Sequence, residues 1–141
     1  MNLKIKAFTL LECLIALLAI SGSVLVISGL TTLMQKQILA EKQNMQKDWQ
    51  IFCEQLCREL SGAKLDKVEN NFLYVKTEKA LRFGLVGENF RKTDEKGLGY
   101  QPMLHHLTAT KISEYAGQVV IKVNFEQGEE RVFYYKFSGG K

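Results

Sequence analysis

The chain has 141 residues, which is enough for one small domain and too few for several. Hydrophobic residues make up 46% of it and charged residues 24%, a composition that excludes a disordered protein. The formal charge of +4, from 19 basic and 15 acidic residues, is too small to indicate nucleic-acid binding by itself. Three cysteines likewise exclude a disulfide-based scaffold.

The N-terminal segment combines a basic start with a long apolar run. Lys4 and Lys6 precede residues 8–34, in which Glu12 is the only charged residue. As a helix this run would be about 40 Å long at ~1.5 Å per residue, more than a bilayer core requires. Positive charge before an apolar span holds that end in the cytoplasm. The pattern predicts a single membrane span, with the rest of the chain outside the cell.

Three kinds of apolar N-terminus begin in a similar way: a cleaved secretory signal, a lipoprotein signal and a plain membrane anchor. A cleaved secretory signal would end near the small residues 21–23, but the apolar run continues through residues 24–27. A lipoprotein signal needs a small residue before its cysteine, and Glu12 precedes Cys13, which excludes that class. A plain membrane anchor stays open. It leaves Glu12 unexplained, because a carboxylate inside an apolar helix is costly and usually functional.

The residues around this glutamate resemble a known processing signal. Lys6-Ala7-Phe8-Thr9-Leu10-Leu11-Glu12 resembles the signal of the type IV pilin-like (prepilin) family. The resemblance implies cleavage by a prepilin peptidase between Ala7 and Phe8, and N-methylation of Phe8. Glu12 would then be the fifth residue of the mature chain. Ala7 stands where the family usually has glycine, and a small residue is thus retained.

The same resemblance implies how the protein assembles. Glu12 of one subunit would lie beside the new amine of Phe8 on a neighbour, in a bundle of helices from other minor and major pilins. Both charges would be penalised alone in a low-dielectric bundle, so their pairing would fix the axial register of the subunits. The protein would lie first in the cell membrane and then in a cell-surface pilus.

The helix is predicted to continue beyond the membrane to about residue 62. Apolar residues recur there at spacings of three, four and seven, and Ser61-Gly62 supplies the end. This stripe comprises Ile38, Met45, Trp49, Phe52, Cys53, Leu56 and Leu60. We interpret Cys53 and Cys57 as small buried hydrophobic residues. The glycines of the apolar half either allow close approach of helices or mark a segment that loosens in the filament.

After residue 62 the pattern changes to short runs rich in β-branched and aromatic residues, which predict strands. The predicted strands are 72–75, 81–86, 89–93, 107–112, 119–125 and 131–137, with a loop at 94–102 and turns at 76–79 and 126–129. The fold class is therefore α+β, with a pilin spine helix at about residues 8–62 packed on a C-terminal antiparallel β-sheet. Residues 1–7 form the leader, 8–34 the membrane and filament-core half of the helix, and 35–141 the head, with its β region at 70–138.

No signature of an enzyme is present in this sequence. It lacks a glycine-rich phosphate loop, metal-ligand spacing and a nucleophile–base pair. His105 and His106 are adjacent and would point to opposite faces of a strand, so we interpret them as non-catalytic. We expect a protein that is not an enzyme, with no catalytic residues, no metal and no cofactor.

Among pilin-like proteins the chain most resembles the ComGF family of Gram-positive competence pili, by its size and its run of strands. This implies a minor pilin that helps to prime or assemble a DNA-uptake pilus. A pseudopilin of a type II-like secretion system or a minor pilin of an adhesive pilus stays open. A DNA receptor is a further alternative, with a basic face formed by Lys64, Lys67, Lys76, Lys79, Arg82, Arg91, Lys92 and Lys96. Acidic residues are interleaved with these, so we favour a solvated surface over direct DNA binding.

Overall fold

One long helix and eight antiparallel strands make up the structure, a computed structural model that describes the backbone of residues 2–139 and the side chains of residues 9–139. In chain order the elements are α1 (Asn2–Leu60), β1 (Lys64–Glu69), β2 (Phe72–Lys76), β3 (Ala80–Val86), β4 (Asn89–Asp94), β5 (Gln101–Leu104), β6 (Leu107–Tyr115), β7 (Gln118–Phe125) and β8 (Glu130–Lys136). The predicted α+β class is confirmed. The chain divides into two units, Met1–Met45 and Gln46–Lys141.

Helix α1 runs without interruption because no proline occurs in it. It ends at Leu60, next to the predicted end at about residue 62. The Ser61 N–H still donates to the Cys57 carbonyl (2.9 Å), and Gly62 then adopts a φ of 79° that favours glycine. The helix starts at Asn2, ahead of the predicted cleavage point.

The last turns of α1 pack on the sheets of the second unit. Phe52, Leu56 and Leu60 are completely buried there. The Phe52 ring lies 5.1 Å from that of Phe90 in β4 and 6.3 Å from that of Phe133 in β8, measured between ring centroids. One helical side chain therefore contacts both sheets, and the predicted packing of helix on strands is confirmed.

The strands form two antiparallel sheets. The first has five strands in the order β1-β2-β3-β4-β5, and the second has three in the order β6-β7-β8. The two are divided at His105 and His106, where His106 has a φ of 60°. The sequence patterns do not predict β1 or β5, and the predicted loop at 94–102 is wrong at its end, since β5 begins at Gln101.

Alternation of side chains along the strands builds the core. Leu73 and Val75 of β2 and Val119, Ile121 and Val123 of β7 face inward, and their neighbours along each strand are more exposed. The other buried apolar residues of the sheets and their connections are Phe83, Phe90, Met103, Leu104, Leu107, Ile112, Phe125, Phe133 and Phe137.

Part of the predicted helical stripe is not fully buried, and Cys57 is exposed. Ile38 is 49% exposed, and Met45 and Trp49 are only half-buried. Cys57 lies about 100° around the helix from the buried Leu56, at ~100° per residue. The prediction of a buried Cys57 is therefore wrong, because four-residue spacing from Cys53 carries it past the edge of the apolar face.

Candidate functional site

The predicted processing site lies at the edge of the described structure. The backbone of residues 2–8 is helical, but the side chains of Lys4, Lys6, Ala7 and Phe8 lie outside the described residues. The membrane orientation assigned to the lysines and the cleavage and methylation assigned to Ala7 and Phe8 stay predictions.

The apolar half of α1 presents an exposed hydrophobic surface on all its sides. Every large apolar side chain of residues 9–34 is at least 53% exposed: Leu10, Leu11, Leu14, Ile15, Leu17, Leu18, Ile20, Val24, Leu25, Val26, Ile27, Leu30, Leu33 and Met34. A helix that is apolar all round needs a membrane or neighbouring helices to cover it. Within residues 9–139, α1 is the one helix long and apolar enough to cross a membrane.

Glu12 is the charged residue on this surface. Its side chain is exposed between Leu11 and Cys13, and it forms no ion pair with residues 9–139. The next acid along the helix is Glu41, beyond the apolar stretch. A lone carboxylate on an apolar surface is costly once water is removed, unless a cation pairs with it or it takes up a proton.

Four hydroxyl groups of the apolar stretch donate hydrogen bonds to carbonyls of the helix itself. Ser21 donates to the Leu18 carbonyl (3.0 Å) and Ser23 to the Ala19 carbonyl (2.8 Å). Thr31 and Thr32 likewise donate to carbonyls four residues before them, at 2.8 and 2.9 Å. Because no hydroxyl proton of these four is left without an acceptor, the stretch is suited to an apolar surrounding.

Two glycines open notches in the same surface. A methyl group built on Gly22 or Gly29 would meet no atom within 4 Å, and both residues remain helical. They are seven residues apart and therefore lie on nearly the same side of the helix. Such a pair allows another helix backbone to approach closely, which is one of the two predicted uses of these residues.

The Cys53 thiol of the second unit does not form a reactive site. Burial, followed by the effect of the neighbouring Cys57, raises the pKa of the Cys53 thiol to about 11. Cys53 therefore stays protonated at neutral pH, and a protonated thiol is a poor nucleophile and ligand. Among the described residues no group of three or more His, Cys, Asp or Glu side chains could hold a metal ion.

The two histidines lie in the connection between β5 and β6. His105 Nδ1 is 2.8 Å from Asn89 Oδ1, and His106 Nδ1 is 3.7 Å from Glu126 Oε2. Both rings are exposed. His105 contacts the first residue of β4 and His106 contacts the turn between β7 and β8, so the two histidines have no polar partner in common.

Most of the proposed basic face is occupied by contacts within the chain. Lys67 pairs with Glu69 at 2.7 Å, and Lys76 pairs with Asp66 at 3.2 Å. Hydrogen bonding to Glu69 raises the pKa of Lys67. Lys92 lies on the opposite, helix-facing side of the sheet, where it pairs with Glu59 at 2.7 Å. The eight basic residues therefore do not form one face.

The two arginines of this set stack on aromatic rings. The Arg82 guanidinium lies 4.1 Å from the centroid of the Phe72 ring, and that of Arg91 lies 4.4 Å from the Tyr100 ring. Phe72 in turn covers Gly84, where a Cβ atom would clash with the ring. Sequence reasoning does not find this cluster, although glycine in mid-strand is a signal of close approach.

These features define a class of protein. A long helix that is apolar in its first half and packs through its last turns on antiparallel strands has the layout of a type IV pilin-like protein. The family described as "Putative Competence protein ComGF" matches residues 33–131, most of the chain. The chain belongs to the ComGF family and is a competence-related protein. No curated protein and no solved structure matches it.

Proposed function

We propose that the chain is a minor pilin of a competence pilus, a structural subunit that helps to assemble or prime a DNA-uptake filament and has no enzymatic activity. The observation that carries this proposal is the exposed apolar half of α1 with Glu12 near its start. A hydrophobic cover and a cation would together stabilise such a surface, and a bundle of processed pilin helices supplies both. Membership of a competence family favours this role over a secretion or adhesion system.

The proposed life of the subunit begins in the membrane. Lys4 and Lys6 hold the leader in the cytoplasm, and the head lies outside the cell. A prepilin peptidase then cuts between Ala7 and Phe8, and the exposed amine of Phe8 is methylated. The single-pass precursor becomes a subunit of the cell-surface pilus when its helix leaves the bilayer for the filament.

The proposed partners are other minor and major pilins, which meet this chain through their helices. Glu12 would form an ion pair with the positively charged Phe8 amine of a neighbour, while Gly22 and Gly29 would allow the helices to approach closely. The apolar side chains supply the attraction, and the ion pair sets the height at which subunits dock. Contacts between heads would complete the assembly.

Replacing Ala7 by tryptophan tests the processing step. We expect the A7W protein to keep the mass of the precursor, because a bulky side chain before the cut blocks access of the peptidase. Pilus assembly and transformation should fall to the level of a strain that lacks the protein. The matched variant A7G restores the usual family residue and should be processed normally. Normal trimming of A7W would show that the cut lies elsewhere.

Direct binding of DNA is not part of this proposal. The pairing of Lys67 and Lys76 with acids supports a solvated sheet surface, and Lys92 lies on the other side of the sheet. We therefore expect the purified full-length chain to show no affinity for DNA that weakens steeply with salt. Binding through phosphates would lose roughly a thousandfold or more between 50 and 200 mM salt. A steep loss of that kind would instead support the receptor alternative.

A further inference from the structure

The free edge of β8 is the least protected strand edge of the described residues. The edge strand β1 contains a bulge between Leu65 and Lys67, and β6 contains one between Leu107 and Ala109. The edge strand β5 is short and contains Pro102. β8 instead pairs with β7 in unbroken register over seven residues and contains no proline. Bulges, prolines and short strands are three of the usual means of preventing strand addition, and β8 has none of these three.

The hydrogen bonds at the two ends of the β7–β8 ladder show which groups this edge offers. Phe125 N–H donates to the Glu129 carbonyl (2.8 Å), and Phe137 N–H donates to the Gly117 carbonyl (3.0 Å). The bonded pairs of an antiparallel ladder alternate, so these two bonds fix the pattern between them. The N–H and C=O groups of the even-numbered residues of β8, Glu130, Val132, Tyr134 and Lys136, therefore point away from β7.

The side chains of the same four residues lie on the outer face of the three-stranded sheet. Tyr134 is 62% exposed and Val132 is half-buried, with Glu130 and Lys136 exposed at the two ends. Opposite charges thus mark the ends of the strand, and apolar side chains lie between them. The strand is complementary to itself when it is reversed.

We propose that β8 pairs antiparallel with β8 of a second copy of this chain, about a two-fold axis at Phe133. Glu130 of each copy then lies opposite Lys136 of the other, and Val132 lies opposite Tyr134. All these residues have outward-pointing N–H and C=O groups, so the backbone bonds of the edge are completed in the same register. The inference depends on the head and is independent of the membrane helix and the pilus role.

Other registers lose this match. A shift of one strand by one residue would place the outer side chains against the buried face of the other copy. A shift by two residues would separate Glu130 of each copy from Lys136 of the other. In-register parallel pairing would bring like charges together at both ends, which is unfavourable. Charge complementarity therefore selects a second copy in the antiparallel register with Phe133 at its centre.

A zero-length carboxylate–amine cross-linker applied to the full-length protein in mild detergent tests the proposal. Within one strand Glu130 and Lys136 are about 20 Å apart, at ~3.3 Å per residue, so a link between them reports two copies. Glu130 and Lys122 lie 3.3 Å apart within one chain, and their link is an internal control for an intact sheet. We expect both links, found by mass spectrometry. Recovery of the Lys122–Glu130 link alone would overturn the proposal.

Two variants at one position separate strand addition from other contacts. Val132→Pro removes an outward N–H without removing a bond to β7 and should reduce the Glu130–Lys136 link at least about tenfold. Val132→Thr keeps the N–H and a β-branched side chain and should leave the link unchanged. The Lys122–Glu130 link should persist in both. An undiminished Glu130–Lys136 link in V132P, or its loss in V132T, would contradict pairing through the backbone edge.

Discussion

Replacing Phe52 by alanine is expected to lower the free energy of unfolding of the head by about 3–5 kcal/mol, the usual cost of truncating a buried aromatic side chain. Phe52 is completely buried, and its ring contacts Phe90 in the five-stranded sheet and Phe133 in the three-stranded sheet. Its removal would leave a cavity where the helix and both sheets meet. Denaturant unfolding of the full-length chain, monitored through Trp49, measures the change.

The matched control is Ile51→Ala on the same turn of α1. Ile51 is 51% exposed, so its truncation should cost less than about 1 kcal/mol. The two variants remove side chains of comparable size from adjacent positions and differ mainly in burial. Similar losses for both would mean that Phe52 does not link the helix to the sheets.

Replacing Glu12 by alanine is expected to leave membrane insertion intact and to reduce incorporation into pili at least about tenfold. The substitution removes a polar group from an apolar helix, so insertion should become easier if it changes at all. In the filament, however, the Phe8 amine of a neighbouring subunit would lose its counter-charge, and a buried charge without a partner is strongly destabilising. Fractionation into membrane and sheared pili, followed by immunoblotting, measures both quantities.

Cys13→Ala is the control for this experiment, because it changes the adjacent exposed residue without changing charge. It should be incorporated as well as the native chain. Normal incorporation of Glu12→Ala would refute the register role of the glutamate. Loss of both variants from the membrane fraction would show that insertion, rather than docking, had failed.

The long elements of the fold are predictable from the sequence because their patterns are strong. β7 alternates buried and exposed residues along its length, and the helical spacing of Phe52, Leu56 and Leu60 gives the buried stripe. The sequence does not predict β1 and β5, because neither strand has a clear pattern of buried and exposed residues. β1 is an edge strand with no buried residue and four charged ones, while β5 has four residues and a proline.

The division into two sheets depends on contacts that local sequence does not encode. The chain turns at His106 with a positive φ, and the Leu107 N–H bonds to the carbonyl of Glu88, far away in sequence. Runs of β-branched residues predict strands but do not specify which strand each will join.

In the candidate site, Glu12 can be recognised from the sequence because a single charge in an apolar run is rare. The stacking of Arg82 on Phe72 could not be predicted, because it depends on the register between β2 and β3.

The identity of the first residue of the mature protein tests the central claim most directly. Mass spectrometry and N-terminal sequencing of the protein isolated from pili should find a chain that begins at N-methylated Phe8, with Glu12 as its fifth residue. A mature protein that still begins at Met1, or one that begins beyond residue 20, would contradict processing and assembly through this helix.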